Sequence, residues 1–387
     1  MRSFSLAGYL AFKEIWRNKG RFLLISMVIA LITLLVLFIA ALGEGLGSGN
    51  REYISKLDAQ LLVYLKKSDF IVGASRLDRG LLTQVRRVQG VEAAGALAAS
   101  NTAIILPDGK VLKTALLGVE PGQPGEPAVV QGRQLGTDLA REVILDRNVI
   151  LRTTIKLGDR ITIRSTQGTK DEFYTLTVVG ISDKQSYSLV PSIIVPYFTW
   201  EHVRPKSDAE IANPAYTVNA IAVKLNNPAQ ADAVKQRLLD QVNNVEVADL
   251  STAIQNIPGY TAQQSTLQTQ AVFTLLIGVL VIGGFFQIQV LQKVPQIGVL
   301  KAIGATDPTV GISSILQILV VTALGVAIGG GLTYLLSLGF PPTVPIVFDG
   351  PTSAIAIAAL LLIGPLGGIV SVRYAVRIEP LKALRLS

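Results

Sequence analysis

Four stretches of this chain, residues 22–42, 271–291, 310–338 and 353–372, contain no charged residue and no histidine. Each matches the length of about 20 apolar residues that a helix needs to cross a bilayer. Hydrocarbon offers backbone N–H and C=O groups no partners, so stretches of this kind fold as spanning helices. Half of the 387 residues are hydrophobic, which also points to a membrane protein with a polar portion. Four spans place both ends of the chain on one side and the 43–270 segment on the other.

Charge placement says which side. Residues 1–21 carry Arg2, Lys13, Arg17, Lys19 and Arg21 against the single acid Glu14. Residues 292–308 carry Lys293 and Lys301 against Asp307, and the tail carries Arg373, Arg377, Lys382 and Arg385 against Glu379. That excess equals the +8 of the whole chain. Basic flanks stay inside, so both termini and the 292–308 loop are expected in the cytoplasm. The basic balance thus reports topology, and no separate patch suited to nucleic acid remains. The first apolar run is longer than the roughly 7–15 residues of a signal-peptide core, so a retained anchor is expected. Cysteine is absent, which removes disulfides and thiolate metal sites.

The expected organisation follows. Residues 1–21 form a cytoplasmic amphipathic helix, with Tyr9 and Trp16 as interfacial anchors, or a plain extension of the first span. Spans occupy 22–42, 271–291, 310–338 and 353–372. Between them lie an extracytoplasmic segment at 43–270, a cytoplasmic loop at 292–309 and a short outer loop at 339–352, with a cytoplasmic tail at 373–387. The outer segment mixes strand signals (60–65, 111–117, 161–164, 174–180, 192–196, 217–224) with helix signals at 77–89 and 228–242, which predicts an α+β domain. Asn227 and Pro228 read as N-cap and first helical residue. The polar 250–270 stretch reads as a stalk helix, broken near Pro258 and Gly259.

Several chemistries are excluded. No Gly-x-x-x-x-Gly-Lys-Ser/Thr occurs, so the chain lacks a P-loop for ATP. His202 is the only histidine, with no partner at metal-ligand spacing, and no Gly-x-Ser-x-Gly elbow exists. No catalytic residue and no intrinsic cofactor or metal is therefore assigned. Spans without ionisable groups argue against a proton- or ion-coupled carrier, and no internal repeat supports the inverted-repeat plan. Small residues recur instead: Gly325 and Gly329, the 329–331 run, and Gly364 with Gly368. These suit close helix packing, within the chain or between copies.

The 292–308 loop, QKVPQIGVLKAIGATDP, interrupts two apolar runs. Pro295 suits a first helical turn, and Ile297, Leu300 and Gly304 fall on one face with Val299 and Ile303 beside it. Gly304 is placed to end the helix. About ten residues make a helix that is marginal alone, so it needs a surface: the membrane, as a tight helical hairpin, or another protein.

This loop resembles the signature loop of the MacB/FtsX-type (type VII) permease family of ABC transporters, and residues 378–385 (IEPLKALR) resemble the family's usual ending. The resemblance implies four transmembrane helices with a large extracytoplasmic α+β domain, of the MacB-like periplasmic core type, inserted between helices 1 and 2. It also implies a coupling helix that grips a separate cytoplasmic ATPase, which binds the ATP. Pro295, Gln296, Ile297, Gly298, Leu300, Lys301, Ala302, Gly304 and Ala305 would form that grip. Gln296 departs from the pattern, since many members carry an acidic residue there. A homodimer in a bacterial plasma membrane, contact with membrane lipids, and a membrane-fusion or regulatory partner are further implications.

A narrower likeness joins Lys13-Glu14-Ile15, Gln292-Lys293, Gln296-Ile297-Gly298 and Ile257-Pro258-Gly259-Tyr260 to haem-exporting permeases. The segment from Val178 to Ile181, followed by Tyr187-Ser188, shares it. This makes haem, or another toxic hydrophobic compound, the leading substrate, with Tyr187, Tyr260 and Met27 as candidate contacts; tyrosine is an accepted haem ligand. Each tyrosine also reads as an interfacial or core residue. Two other functions stay open: an FtsX-like transducer that regulates a wall hydrolase without transport, and a lipoprotein or lipid release permease.

Overall fold

In the computed structural model of the chain, residues 2–341 and 344–377 are described; the 378–385 motif lies outside the described residues. The chain divides into two compact units, one of Met1–Gly45 with Gln264–Ser387 and one of Leu46–Gln263. Helices α1 (Arg2–Arg17) and α2 (Lys19–Ser55) come first, and the division falls inside α2.

The Leu46–Gln263 unit is α+β. It runs β1 (Leu61–Leu65), β2 (Leu77–Asp78), α3 (Leu81–Arg86), β3 (Val91–Ile105), β4 (Val111–Val119) and β5 (Val129–Gly132). It continues with β6 (Glu142–Asp146), α4 (Arg147–Arg152), β7 (Arg160–Gln167), β8 (Lys170–Ser182), β9 (Ser192–Pro196), α5 (Tyr197–Val203) and α6 (Asp208–Ala212). Then follow β10 (Thr217–Val218), β11 (Ala220–Leu225), α7 (Ala231–Gln241), β12 (Val245–Asp249) and α8 (Leu250–Gln255). The main sheet has the order β12-β1-β11-β3-β4-β9-β6-β8-β5, and β7 pairs with both β3 and β8. The pairs β3-β4-β9-β6-β8-β7 therefore form a closed circuit, in which β4/β9 and β6/β8 are parallel. Side chains alternate across each strand, so Leu61, Val63, Leu116 and Ile193 enter one core with Val85, Trp200 and Leu238 from α3, α5 and α7. Their neighbours Leu62, Tyr64, Leu117 and Ile194 enter a second core with Tyr53 and Ile54 of α2 and Ala253 of α8.

Three local expectations differ from the structure. The 77–89 stretch splits into β2 and α3, because Asp78 accepts from Gly80 N and turns the chain. Residues 91–105, VEAAGALAASNTAII, carried no strand signal yet form the longest strand of the sheet. Alanine favours helix, but β3 lies between β11 and β4, where small side chains fit, and packing overrides propensity. Asn227 does cap, accepting from Ala229 N at 3.0 Å. What it caps is a 3-10 turn at Pro228–Gln230 that leads into α7, so the expected helix at 228–242 starts three residues later as an α-helix. The stalk breaks at Gly259, whose φ of +78° favours glycine.

Among the described residues, four helices are long and apolar enough to cross a membrane: α2, α9 (Tyr260–Gln292), α11 (Asp307–Ser337) and α12 (Gly350–Val376). Three of them contain an uncharged stretch whole, α11 covers all of 310–338 but Leu338, and the α+β domain lies between the first and second. Short helix α10 (Val294–Ala302) joins α9 to α11. Within the bundle, Phe22, Ile25 and Ile29 of α2 meet Phe286, Val321 and Ile363. Glycines set the closest approaches. A Cβ on Gly325 would lie 2.6 Å from Ile29 Cβ, and one on Gly329 would lie 2.5 Å from Ala30 O, so α2 and α11 pack backbone to backbone. Gly364 of α12 likewise faces Thr322 of α11.

In the α+β unit, Asp146 is fully buried at the N-cap of α4. It accepts from Asn148 N at 2.9 Å, Gln185 N at 3.0 Å and Ser192 N at 3.3 Å. Replacing it with alanine strands these donors, and each buried unsatisfied group costs about 1–3 kcal/mol. Asp146→Ala is expected to lose at least about 3 kcal/mol, seen as a lower thermal midpoint of the full chain in detergent. Asp146→Asn should lose less.

Candidate functional site

The α9–α11 connection is built as the local sequence requires. Lys293 is the N-cap of α10 and Pro295 lies in its first turn. At the other end Gly304 takes φ +110°. Gly304 N donates to Lys301 O and Ala305 N to Leu300 O, both at 3.0 Å, the paired bonds of a Schellman motif. The helix thus begins and ends where Pro295 and Gly304 place it.

Its two apolar sides have different fates. Val294, Ile297 and Leu300 turn inward onto Val290 of α9, Val310 of α11 and Ala375 of α12, and Gly298 is buried. Gln296, Val299, Ala302 and Ile303 are exposed, Ile303 at 81%. These four share one helical face. Val299 and Ile303, placed beside the expected apolar stripe, are the ones that point outward.

Both lysines are engaged. Lys293 forms an ion pair with Glu14 of α1 and lies 5.4 Å from the Phe22 ring centroid. Glu14 also accepts from Gln317 Nε2 of α11 at 2.6 Å, so one carboxylate ties α1 to α10 and α11. Arg21 Nη1 donates to Gln292 Oε1 at 3.0 Å. Lys301, with an 8% exposed side chain, pairs with Asp307 at 2.7 Å and donates to Val376 O at 2.6 Å. A cation at the C-terminus of α12 and an anion in the first turn of α11 both complement the helix dipoles. The lysines therefore hold the loop to the bundle, and the outward face is apolar and neutral. The sequence signal for this was Glu14, the only acid among the first 21 residues.

The candidate substrate residues do not converge on one point. Tyr187 lies in a loop of the α+β unit, bonded both ways to Val190. Its ring meets the Tyr53 ring edge-on at 6.2 Å, and burial pushes its hydroxyl up to about 12. It borders a cavity of about 230 Å³ with Phe70, Asn101 and Ile257. Tyr260 opens α9, and its hydroxyl accepts from Arg51 Nη1 at 3.3 Å. Tyr53 and Arg51 both belong to the last turns of α2. Two residues apart on a helix face nearly opposite ways, so α2 holds the two tyrosines on different sides. Met27, half exposed, belongs to the other unit. Arg51 is a residue that sequence reasoning missed.

The MacB-like periplasmic core domain family matches residues 22–241, and the FtsX-like permease C-terminal family matches residues 270–380. The chain belongs to the MacB/FtsX-type family of ABC transporter permeases; it is a multi-pass cell-membrane permease subunit, and the family implies a cytoplasmic ATPase partner. It is 24% identical over 383 residues to the protein designated hemin transport system permease protein HrtB of Staphylococcus haemolyticus, covering 97% of this chain and 98% of that one. It is 27% identical over 302 residues to an uncharacterized ABC transporter permease of Mycobacterium tuberculosis, covering 77% and 76%. Among solved structures, the periplasmic region of MacB from Actinobacillus actinomycetemcomitans aligns at a TM-score of 0.36 and 14% identity, over 52% of this chain and 94% of that one.

The ion pair gives a direct prediction. Glu14→Gln leaves Lys293 without its charged partner in a half-buried position, and a hydrogen bond to a charged group contributes about 1.5–3 kcal/mol. The full-length variant should unfold earlier in detergent. The exchange Glu14→Lys with Lys293→Glu should recover part of the loss, whereas either reversal alone should not.

Proposed function

We propose that this permease couples ATP hydrolysis by a separate cytoplasmic ATPase to export or extraction of an amphipathic substrate. The observation that carries the reading is the exposed, largely apolar face of α10, with both lysines of the loop turned to the bundle. Pro295, Gly304 and Ala305 frame the helix, Gly298, Ile297, Leu300 and Lys301 seat it, and Gln296, Val299, Ala302 and Ile303 meet the ATPase. Gln296 contributes a neutral hydrogen-bonding group to that contact. Both termini and α10 lie in the cytoplasm, as the basic flanks argue. In a homodimer, closure of the ATPase pair draws the two copies of α10 together. The bundle is the two-state element that nucleotide biases. Helices α2 and α9, continuous across the unit division, carry the movement outward.

Ile303→Asp places a carboxylate in the apolar contact. Loss of a buried hot-spot contact costs about 2 kcal/mol or more, so ATPase co-purification should fall by at least about tenfold with the permease still folded. Ile297→Asp should instead damage the fold, because Ile297 packs inward. Normal co-purification with Ile303→Asp and Val299→Asp combined would sink the docking face.

Haem is the favoured substrate, supported by full-length similarity to a hemin transport permease and by the local likenesses in the loop and stalk. Spans that hold no ionisable residue suit entry from the membrane or its surface. Of the two tyrosines, Tyr260 is the better iron contact, since it opens α9 outside the packed loop that holds Tyr187. Burial keeps the Tyr187 phenol neutral. Cells carrying Tyr260→Phe should tolerate haem less well than those carrying Tyr187→Phe. Unchanged haem tolerance after deletion of the permease removes haem as the substrate while leaving ATP coupling intact.

A further inference from the structure

A cavity of about 490 Å³ opens in the membrane unit, among α1, α9, α10, α11 and α12. That lies within the roughly 300–1,000 Å³ range of small-molecule sites. Its lining is mixed. Leu10, Phe286 and Ile318 supply apolar surface, and Lys13, Arg17 and Lys293 set three cations against the one carboxylate of Glu14. Lys293 already neutralises Glu14, which leaves Lys13 and Arg17 as the excess, both exposed at the rim on α1.

Two well-shielded polar side chains line it, Gln289 of α9 at 6% exposure and Ser313 of α11 at 8%. Both border the cavity and offer hydrogen-bonding groups to a ligand that carries oxygens. The adjoining face of α1 carries Tyr9, Phe12 and Trp16, all exposed, with Phe12 stacked on Trp16 and Lys13 over the Tyr9 ring. Aromatic faces of this kind sit at lipid-headgroup height. The cavity then opens where phospholipid headgroups are the most concentrated solutes, with basic groups at its mouth.

We propose that this cavity is a binding site for an anionic phospholipid. Its phosphate faces Arg17 and Lys13, and its glycerol and ester oxygens meet Gln289 and Ser313. One lipid seated there touches all five helices, α1 and α10 included. The cavity meets α10 at Gln296, Ile297 and Leu300 and leaves Val299 and Ile303 of the outward face outside its lining.

The test uses the full chain in detergent micelles holding equal amounts of dioleoyl phosphatidylglycerol and dioleoyl phosphatidylcholine, with retained lipid counted by native mass spectrometry. Phosphatidylglycerol is expected to be retained over phosphatidylcholine by about fivefold, the contribution of one well-placed cation at a membrane surface. Arg17→Gln and Gln289→Leu should each reduce that ratio towards one. Lys110→Gln, on the exposed turn between β3 and β4, should leave it unchanged. Arg17 is exposed, so its variant decides the matter if Gln289→Leu fails to assemble. Equal retention of both lipids overturns the proposal, and so does a preference that survives Arg17→Gln. Complete displacement of phosphatidylglycerol by millimolar glycerol 3-phosphate also overturns it, because the site would then take a free phosphate compound.

Discussion

Where a helix leaves hydrocarbon, every charge and every backbone polar group must find a partner or reach water. The end of the bundle that carries α1 and α10 is organised by that demand. Lys293 meets Glu14, Glu14 meets Gln317, and Lys301 meets both Asp307 and the carbonyl of Val376. The Schellman bonds at Gly304 take up the last carbonyls of α10. Once these partners are spent, the loop presents little beyond an apolar face. A surface of that kind binds by burial and shape rather than by charge.

The same demand shapes the α+β unit by a different route. There the donors around the loop that holds Tyr187 converge on Asp146, and the end of α2 adds further ties. Glu52 Oε2 accepts from Ser186 N, Tyr53 N donates to Ser186 O, and Gly49 O accepts from Leu189 N. A loop held at so many points is a rigid feature. Tyr260, by contrast, sits at a helix start beside a long flexible arginine. The two tyrosines that sequence likeness grouped together therefore differ in what each can do.

Much of the fold was legible because its signals are local. The spans follow from runs without charge, the short helix between α9 and α11 from Pro295 and Gly304, and the capped turn that leads into α7 from Asn227 and Pro228. Strand β3 was not legible: fifteen residues rich in alanine carry a helix-like composition, and only the flanking strands make them a strand. The candidate site was legible in part. Its position and helical form were visible, but the sequence pattern put Ile297 and Leu300 in the outward grip, whereas they pack inward and Val299 and Ile303 point out. Both pairs are apolar, and only the packed neighbours decide between them.

By itself, then, the sequence determined how many times the chain crosses the membrane, where the outer domain is inserted and where the short helix between spans begins and ends. Each depends on the chemistry of a contiguous stretch. Tertiary structure alone decided which face of α10 points outward, that its lysines are internal ties, and that Glu14 joins three helices. Those outcomes depend on partners distant in sequence, such as Val376 for Lys301, and no local pattern encodes which side chain will arrive to neutralise a given charge.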